Sequence, residues 1–306
     1  MMQALINFLY RNPKAKLKHF ARFGGYFNYR KMMAARRQME KASLNLPPIA
    51  STNDGLPVYF LTGKNYLYQT LFCIRSLVLV TKTNFRFVLV DDGSFDEELI
   101  SRIKKQLPGA DIVTKDIIAR NLQRVIPEAQ FPYLHQKKAV YAHIKKLTDI
   151  HTIPGEDWKL VLDSDMLFWH EPFEMLEWLR SPNRPLHMID CGEAYGYSKK
   201  LMEELAGTTI KPLINVGAIG LNSNNINWHD LERWAETLEQ REGTSYYLEQ
   251  ALSAMLIGDE HAAVLPPGKY IVNPGKTTIA AQNGLLHHYV DLSKEGYYKL
   301  AWKKLV

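Results

Sequence analysis

Residues 159–172 read KLVLDSDMLFWHEP, and the centre of this stretch is a pair of aspartates separated by one serine. The apolar run before Asp163 has the pattern of a buried strand, and an apolar pattern returns directly after Asp165. In an extended backbone, residues i and i+2 point to the same side, so the two carboxylates can face one point. The stretch therefore predicts a strand that ends in two convergent carboxylates.

The rest of the chain alternates short apolar strands with helical segments, which is typical of a mainly parallel sheet covered on both faces. The predicted strands are Val58–Thr62, Phe85–Val90, Asp111–Lys115, Lys159–Leu162, Leu186–Asp190 and Ile214–Asn222. The predicted helices are Tyr66–Leu79, Asp96–Leu107, Gln136–Leu147, Asp230–Gln240 and Tyr246–Leu256. We expect a doubly wound α/β domain whose ligand crevice lies at the carboxyl ends of the strands, beside Asp163.

The composition is that of an ordinary globular protein: 306 residues, 46% hydrophobic and 23% charged. The two cysteines, Cys73 and Cys191, are far apart in sequence. Their number argues against a disulfide framework or a cysteine-rich zinc site and favours a reducing compartment. No stretch has the order of a secretory signal, and no apolar run approaches the roughly 20 residues of a membrane helix. We expect a cytoplasmic protein, either free or peripheral at the inner face of a membrane.

The positive charge is concentrated near the N-terminus. Residues 1–53 carry ten lysines and arginines and one glutamate, a net +9, which leaves −3 for the remainder of the +6 total. We expect residues 1–50 to form a basic arm of two helices broken at Gly24-Gly25, and residues 51–306 to form the main domain. The arm either lies on an anionic membrane surface or packs on the main domain with a solvated basic face. Nucleic-acid binding is not expected, because no known binding module accompanies the charge.

Two carboxylates at a strand end suit a hard divalent cation. Mg²⁺ and Mn²⁺ take oxygen ligands and commonly combine one or two carboxylates with phosphate oxygens. Asp163 and Asp165 therefore predict a site for a metal-bound diphosphate. The alternative is a strand-end turn without a ligand, because Asp-x-Asp pairs also arise by chance among the chain's 14 aspartates.

Two further motifs follow the aspartate pair in a fixed order. NVGAIGLN occupies residues 215–222, and His288 is followed six positions later by Lys294. The ordered set resembles the nucleotide-sugar-dependent glycosyltransferases of the GT-A fold. It is most similar to the retaining family 8, which includes glycogenin and bacterial lipopolysaccharide galactosyltransferases. The resemblance is discontinuous and runs from about Val58 to Lys294.

The resemblance implies a single GT-A domain with a mainly parallel central sheet that transfers a sugar from a nucleoside diphosphate sugar. A UDP-sugar is the favoured donor. The implied acceptor is a hydroxyl group of a glycan, a lipopolysaccharide or a lipid-linked acceptor, and the implied stereochemistry is retention. The implied cofactor is Mn²⁺, with Mg²⁺ as the alternative ion.

In the family, the two aspartates and a later histidine hold Mn²⁺, and a lysine six positions after that histidine reaches the diphosphate. The resemblance assigns the metal to three residues: Asp163, Asp165 and His288. It assigns the diphosphate to Lys294, with Asp163 also facing the donor, and leaves His287 as the alternative histidine. The chain departs from the family at Asp291, where a glycine is usual, and it lacks the usual Pro-Trp after the lysine. These departures put phosphate contacts from this loop in question.

Two strand ends resemble nucleotide-binding turns. FLTGKNY, at the end of the first predicted strand, resembles the turn that in the family places Thr62 and Tyr66 near the base and ribose. Tyr66 can equally be a packing aromatic. VDDGS, at residues 90–94, resembles instead the turn of the inverting family 2 enzymes in which an aspartate contacts the base. Asp91 and Asp92 are therefore candidates for the base, and a simple turn with a helix cap is the alternative.

Further candidates follow from the same resemblance. Asn215 and Gly217 match the stretch that binds the donor sugar, and a buried asparagine needs a hydrogen-bond partner in any case. Glu249 and Gln250 match an Asp-Gln pair in which the acid contacts sugar hydroxyls and the glutamine lies near the anomeric carbon; an exposed helical pair is the alternative. A donor-contacting basic residue of the family matches Lys138 or its neighbour Lys137, unless these lysines form a solvated helix face.

Three other functions stay open. An inverting, family 2-like glycosyltransferase would need a carboxylate positioned as a general base. A nucleotidyltransferase would carry a glycine-rich phosphate loop near the first strand, and LTGKNY is a poor version of one. A non-catalytic nucleotide-sugar-binding protein would explain the departures around Asp291.

Overall fold

The structure, a computed structural model, describes residues 12–306. Its helices are α1 Asn12–Arg22, α2 Tyr26–Ala42, α3 Leu67–Val80, α4 Glu97–Gln106, α5 Lys115–Val125, α6 Pro132–Val140, α7 Lys145–His151, α8 Phe173–Arg180, α9 Lys199–Ala206, α10 Trp228–Glu242, α11 Leu248–Ile257, α12 Lys276–Ala281 and α13 Lys294–Lys299. Its strands are β1 Leu56–Thr62, β2 Phe85–Asp91, β3 Asp111–Val113, β4 Trp158–Leu162, β5 Met166–Phe168, β6 Leu186–Ile189, β7 Ile214–Asn222, β8 Ala263–Leu265, β9 Tyr270–Val272 and β10 Leu286–His288. Residues 1–11 of the predicted basic arm lie outside the described residues.

The central sheet has seven strands in the order β3-β2-β1-β4-β7-β6-β8. Strands β3, β2, β1 and β4 run parallel to one another, and β6 runs parallel to β8. Strand β7 lies between these two groups and runs antiparallel to both β4 and β6. The register pairs Thr62 with Asp91, so β1 and β2 end side by side. The predicted α/β fold with a mainly parallel sheet is confirmed.

Helices cover both faces of this sheet because the strands alternate their apolar side chains. Phe85, Phe87 and Leu89 of β2 face the cluster that includes α3, α8 and α13, whereas Val88 and Val90 face the cluster that includes α7, α10 and α11. Fully burying a side chain of this size contributes roughly 1.5–3 kcal/mol relative to leaving it exposed. The two clusters therefore hold the carboxyl ends of the strands in fixed positions.

A second, three-stranded sheet has the order β5-β10-β9 and was not predicted from the sequence. Its strand β5 begins directly after the aspartate pair and runs antiparallel to β10, with Met166 opposite His288. The amide of Tyr289 donates to the carbonyl oxygen of Asp165 at 2.9 Å. This pairing brings the C-terminal motif of the chain against the end of β4.

The single helix predicted over Gln136–Leu147 is wrong, because the chain breaks at Tyr141. Tyr141 has an extended backbone (φ −136°, ψ 95°) between α6 and a 3-10 turn, Ala142–Ile144, that leads into α7. Its hydroxyl donates to the carbonyl of Tyr246 at 2.6 Å and accepts from the amide of Glu249 at 3.2 Å. These long-range contacts stabilise the break, and they turn the start of α7 toward the carboxyl ends of the strands.

The described part of the basic arm folds back on the main body. Gly24 and Gly25 adopt positive φ angles of 75° and 98° between α1 and α2, which is the predicted break. From α2, Met32, Ala35 and Met39 are buried in the core at helical spacing. None of the helices in residues 12–306 combines the length and the hydropathy that a bilayer crossing requires.

A buried histidine at the end of α7 makes the stability depend on pH. Lys159 Nζ donates to Ser223 Oγ at 2.7 Å, and that hydroxyl lies 2.9 Å from His151 Nδ1, which accepts its proton in this network. Burial, followed by the charge of Lys159, lowers the pKa of His151 to about 3. The unfolded chain takes up this proton near pH 6.5, so the free energy of unfolding should fall as the pH decreases from about 6.5 toward about 3.

We expect His151→Asn to flatten this dependence. Between about pH 7 and about pH 4.5, the free energy of unfolding of the wild type should fall by roughly 2 kcal/mol more than that of the variant. The reason is that His151 binds a proton in the unfolded wild-type chain over this range, and the asparagine does not. Urea unfolding at both pH values measures the difference. His261, which is exposed, provides the control His261→Asn, and an equal slope in wild type and His151→Asn would contradict the assignment.

Candidate functional site

Three side chains converge at the carboxyl end of β4. His288 Nε2 lies 3.6 Å from Asp163 Oδ2 and 3.3 Å from Asp165 Oδ1. One ligand atom from each residue can be chosen so that all lie within 4.8 Å of one another, the only such group of three found within residues 12–306. Two carboxylate oxygens suit Mn²⁺ or Mg²⁺, and the imidazole nitrogen favours Mn²⁺, because Mg²⁺ takes oxygen ligands. The donor set therefore fits the predicted divalent cation.

His288 is held in position by β7. Its Nδ1 lies 3.2 Å from Asn215 Oδ1, which orients Nε2 toward the aspartates. Gly217 provides the space for the ring, because a Cβ added there would lie 2.3 Å from His288 Cε1 and 2.4 Å from Nδ1. The carbonyl of Gly217 also accepts from the amide of Asp163 at 2.7 Å. In this structure Gly217 therefore serves the packing of the cluster, while its predicted contact with the donor sugar stays a prediction.

His287 points away from the cluster, as expected for the neighbouring residue of a strand. Its Nδ1 accepts from Trp169 Nε1 at 2.9 Å, and its Nε2 lies 2.5 Å from the carbonyl oxygen of Asn283. Burial lowers the pKa of His287 to about 4. Both ring nitrogens are engaged within the protein, which leaves His288 as the histidine that faces the aspartates.

Two lysines balance the negative charge of the cluster. Lys294 forms an ion pair with Asp165, and Lys146 Nζ lies 2.8 Å from Asp163 Oδ1. Burial alone would raise the pKa of the Asp165 carboxyl, but the charge of Lys294 and a hydrogen bond from His288 hold it well below its usual range. Burial would lower the pKa of Lys146, but Asp163 and Glu249 raise it above its ordinary value. Asp165 and Lys146 are therefore both charged at neutral pH.

Glu249 lies at the start of α11, buried, with one oxygen 3.3 Å from Lys146 Nζ. Burial raises the pKa of its carboxyl to about 7, despite the nearby ammonium group. Its second oxygen, Oε1, has no hydrogen-bond partner within the described protein. That oxygen is enclosed by protein, and the Ser253 side chain, one turn further along α11, also acts on this carboxyl.

A chain of amide hydrogen bonds connects the cluster to the next strand. Asp190 Oδ2 accepts from Asn215 Nδ2 at 2.9 Å and from Gln250 Nε2 at 3.1 Å. Gln250 Nε2 also lies 2.9 Å from the carbonyl oxygen of Ile214. Asp190 was not predicted as a site residue, although its position at the end of the predicted strand Leu186–Asp190 repeats the arrangement of Asp163. These groups form a fixed polar wall beside the metal ligands.

The cluster lies in a cavity of about 580 Å³. Seven predicted site residues line it: Asp163, Asp165, Asn215, Glu249, Gln250, His288 and Lys294. Lining residues that the sequence analysis missed include Arg22, His143, Lys146, Asp190 and Tyr246. The structure therefore brings together the predicted metal, diphosphate and sugar-contacting residues in one concave site, which is where ligands commonly bind.

The predicted base-binding residues form a separate group at the ends of β1 and β2. Thr62 is buried and its hydroxyl lies 2.7 Å from that of Thr70, whereas Tyr66 is half exposed. Asp91 accepts from the amides of the following turn, and a Cβ on Gly63 would lie 2.0 Å from Asp92 Oδ1. Thr70 in turn lies 2.8 Å from the Ser164 hydroxyl between the two metal-site aspartates. The group borders the cavity without lining it, and its contact with a base stays a prediction.

Lys138 lies away from the cavity in an ion pair with the buried Asp149, and Lys137 pairs with Glu239. The lysine beside the aspartates is Lys146 instead. The break at Tyr141 is the reason, because it separates α6, which carries the two predicted lysines, from α7, which carries Lys146. No local pattern in the sequence predicts the break at Tyr141.

The loop after His288 keeps a glycine-like backbone although it has no glycine. Asp291 has a φ of 44°, a left-handed conformation that glycine adopts more readily. Its carboxylate accepts from Arg22 Nη2 at 2.5 and 2.6 Å. The Asp291 side chain therefore links this loop to α1.

Comparison with known proteins shows a likeness in structure alone. No protein-family profile matches the chain, and no curated protein matches it by sequence. A bifunctional glycosyltransferase, WbbM, matches 85% of this chain with a TM-score of 0.53 and 13% identity. The match spans 52% of WbbM, so the present chain covers about half of that protein's length. The galactosyltransferase LgtC, in complex with donor and acceptor sugar analogues, has a TM-score of 0.55 and 16% identity, with coverage of 81% and 94%. Mouse xyloside xylosyltransferase 1 has a TM-score of 0.51 and 13% identity, with coverage of 79% and 98%.

These likenesses show the fold: the chain has the mainly parallel α/β architecture of GT-A glycosyltransferases. At 13–16% identity, they carry no residue roles with them. The chemistry of the site depends on its own side chains.

Proposed function

We propose that the protein is a metal-dependent glycosyltransferase that moves a sugar from a nucleoside diphosphate sugar to a hydroxyl acceptor. The observation that carries the proposal is the cluster of Asp163, Asp165 and His288 at the carboxyl end of β4, within a cavity of about 580 Å³. Ligands of open α/β sheets bind at this edge. The likeness in fold to glycosyltransferases supports the same reaction class.

The metal site would hold Mn²⁺ or Mg²⁺ through one oxygen of each aspartate and Nε2 of His288. A divalent cation at this position supplies Lewis-acid stabilisation of the charge that develops on a diphosphate leaving group. Lys294 and Lys146 add two further positive charges at the same edge of the cavity, and both are held by the aspartates. The site thereby concentrates positive charge where a leaving diphosphate would become more negative.

The donor sugar would lie against the polar wall formed by Asp190, Asn215 and Gln250. Because the two amides hold the Asp190 carboxylate in one orientation, it can accept from sugar hydroxyl groups without reorganisation. The carboxyl of Glu249, which also lines the cavity, is the second acidic group at this wall. We assign Glu249 to sugar hydroxyls and Gln250 to the neighbourhood of the anomeric carbon.

A UDP-sugar is the favoured donor. Thr62, Tyr66, Asp91 and Asp92 lie together at the ends of β1 and β2, and we propose that this group contacts the base and ribose. The base itself would be read by hydrogen bonds from the two turns, and the diphosphate would then extend from β1 toward the metal cluster on the neighbouring strand β4.

We propose transfer with retention. Among the carboxylates that line the cavity besides the metal ligands, the half-buried Asp190 is engaged by amide groups and the buried Glu249 by Lys146. A front-face route, in which the departing phosphate accepts the proton of the acceptor hydroxyl, needs neither as a base. The acceptor would be a glycan or a lipid-linked acceptor, with residues 1–50 in peripheral contact with a membrane and residues 51–306 as the transferase domain.

The proposal is tested by release of nucleoside diphosphate or monophosphate from UDP-, GDP-, ADP- and CMP-sugars, with Mn²⁺ and with EDTA. We expect release from one donor class, UDP-sugars, only in the presence of metal. If no donor is turned over and one still binds more tightly with metal, the protein is a nucleotide-sugar-binding protein. If none is turned over and none binds, the site is not a glycosyltransferase site.

A further inference from the structure

One exposed face of α2 is cationic along its length. Met32, Ala35 and Met39 turn toward the core. The side chains on the opposite side of α2 therefore face outward, and they also recur at spacings of three and four residues. That outer side carries four exposed cations, which we call the cationic face: Arg30, Lys31, Arg37 and Lys41.

None of these four charges has an ionic partner within the described part of the chain, and Arg30 Nη1 donates to the Tyr26 hydroxyl at 3.4 Å. No carboxylate oxygen there lies within 4.0 Å of any of them, whereas Arg22 pairs with Asp291. The one acid of α2, Glu40, interacts instead with Arg36 and Arg102. Like charges at helical spacing repel one another, so the cationic face is stabilised when an anionic surface covers it.

Exposed apolar side chains lie at the N-terminal end of this face, around the Gly24-Gly25 break. Phe27 is 80% exposed, Leu17 67% and Tyr26 48%. The other aromatics of the arm, among them Phe20 and Phe23, pack against Tyr29 with ring centroids 5.0 and 5.9 Å apart. Of the exposed apolar residues, Tyr26 and Phe27 lie together, with ring centroids 5.7 Å apart, and Tyr26 also contacts Arg30 of the cationic face.

We propose that this surface docks on an anionic lipid bilayer, with the cationic face over the headgroups and Phe27 and Leu17 inserted at the interface. A cationic helix face combined with exposed aromatic and aliphatic side chains matches the requirements of interfacial binding, in which apolar burial adds to electrostatic attraction. An RNA or DNA backbone would use the cations and leave Leu17 exposed.

The docked surface lies beside the catalytic cavity. Arg22, at the end of α1, lines that cavity and lies two positions before Gly24 of the Gly24-Gly25 break. Docking through Phe27 would therefore hold the cavity near the bilayer, where an acceptor carried on a lipid is presented. This last step rests on the proposed function; the docking itself does not.

The test is sedimentation of the full-length protein with vesicles of phosphatidylcholine alone and with added phosphatidylglycerol. We expect binding to the anionic vesicles only, weakened by high salt. The fourfold variant Arg30→Gln, Lys31→Gln, Arg37→Gln and Lys41→Gln should bind these vesicles at least about 100-fold more weakly than wild type. A control with the same loss of charge elsewhere on the surface should bind like wild type: Lys82→Gln, Lys104→Gln, Lys105→Gln and Lys115→Gln.

Insertion is measured with Phe27→Trp and brominated lipids. The new indole should be quenched by bromine, and an indole introduced at another exposed apolar site, Leu79→Trp, should not. The proposal is overturned if wild type does not bind anionic vesicles, if the two fourfold variants weaken equally, or if single-stranded RNA binds and vesicles do not. Because no donor is present, these outcomes are independent of whether sugar transfer is observed.

Discussion

Replacing Asp165 by asparagine is expected to lower metal-dependent release of nucleoside diphosphate about 1000-fold, the scale at which loss of a key electrostatic group reduces enzyme rates. The substitution keeps the shape of the side chain and removes one negative charge from the cluster. It also leaves Lys294 without its partner, so the positive charge near the diphosphate would no longer be held in place. Initial rates with saturating donor and a titration of Mn²⁺ measure the effect.

The matched control is Asp157→Asn, because Asp157 is an exposed aspartate just before β4, at the opposite end of the same strand. It should keep the wild-type rate and the wild-type affinity for Mn²⁺. Full activity of Asp165→Asn at high Mn²⁺ would mean that Asp165 contributes only affinity. Full activity at every Mn²⁺ concentration would remove Asp165 from the metal site.

Replacing Gly217 by alanine is expected to weaken Mn²⁺ binding by about 100-fold, the upper range for residues that position a metal ligand. The added Cβ would lie 2.3 Å from the ring of His288, so the ring has to turn away from the aspartates. Its hydrogen bond to Asn215 would be lost in the same movement. Binding of Mn²⁺ measured by electron paramagnetic resonance separates this effect from catalysis.

Gly220→Ala separates a packing defect from a defect in the metal site. Gly220 lies on the same strand, and a Cβ there would lie 2.4 Å from the ring of Trp178, on the core side of the sheet. This variant should lose stability and keep its affinity for Mn²⁺. Wild-type affinity in Gly217→Ala would contradict the role that the structure gives to this glycine.

Local sequence patterns were sufficient for six of the seven strands of the central sheet, all except β8, and for the two aspartates. The alternation of Phe85, Phe87 and Leu89 with Val88 and Val90 is visible in the sequence and reflects the two cores directly. The position of Asp163 at a strand end follows from the same kind of pattern. No local pattern indicates that His288 lies beside Asp163 and Asp165, which are more than a hundred positions earlier in the chain. That prediction came from the resemblance.

Contacts between distant segments decided what the sequence did not predict. Lys146 reaches the cavity because Tyr141 breaks a helix, and Tyr141 is extended because of its hydrogen bonds to residues 246 and 249. The pairing of β5 with β10 likewise joins segments far apart in sequence. Helical and strand periodicities describe neighbours along the chain, so they contain no information on such pairs.

The cluster also joins two sheets. Asp163 follows the seven-stranded sheet, whereas His288 ends β10 of the three-stranded sheet, and the next helix, α13, packs against α2 of the arm. A cation bound by both residues would have to be released before the C-terminal segment could open locally. The binding free energy of the ion would then be added to the protection of that segment and, through α13, to that of α2, so that occupancy of the cluster would set how firmly α2 and the C-terminal segment are held.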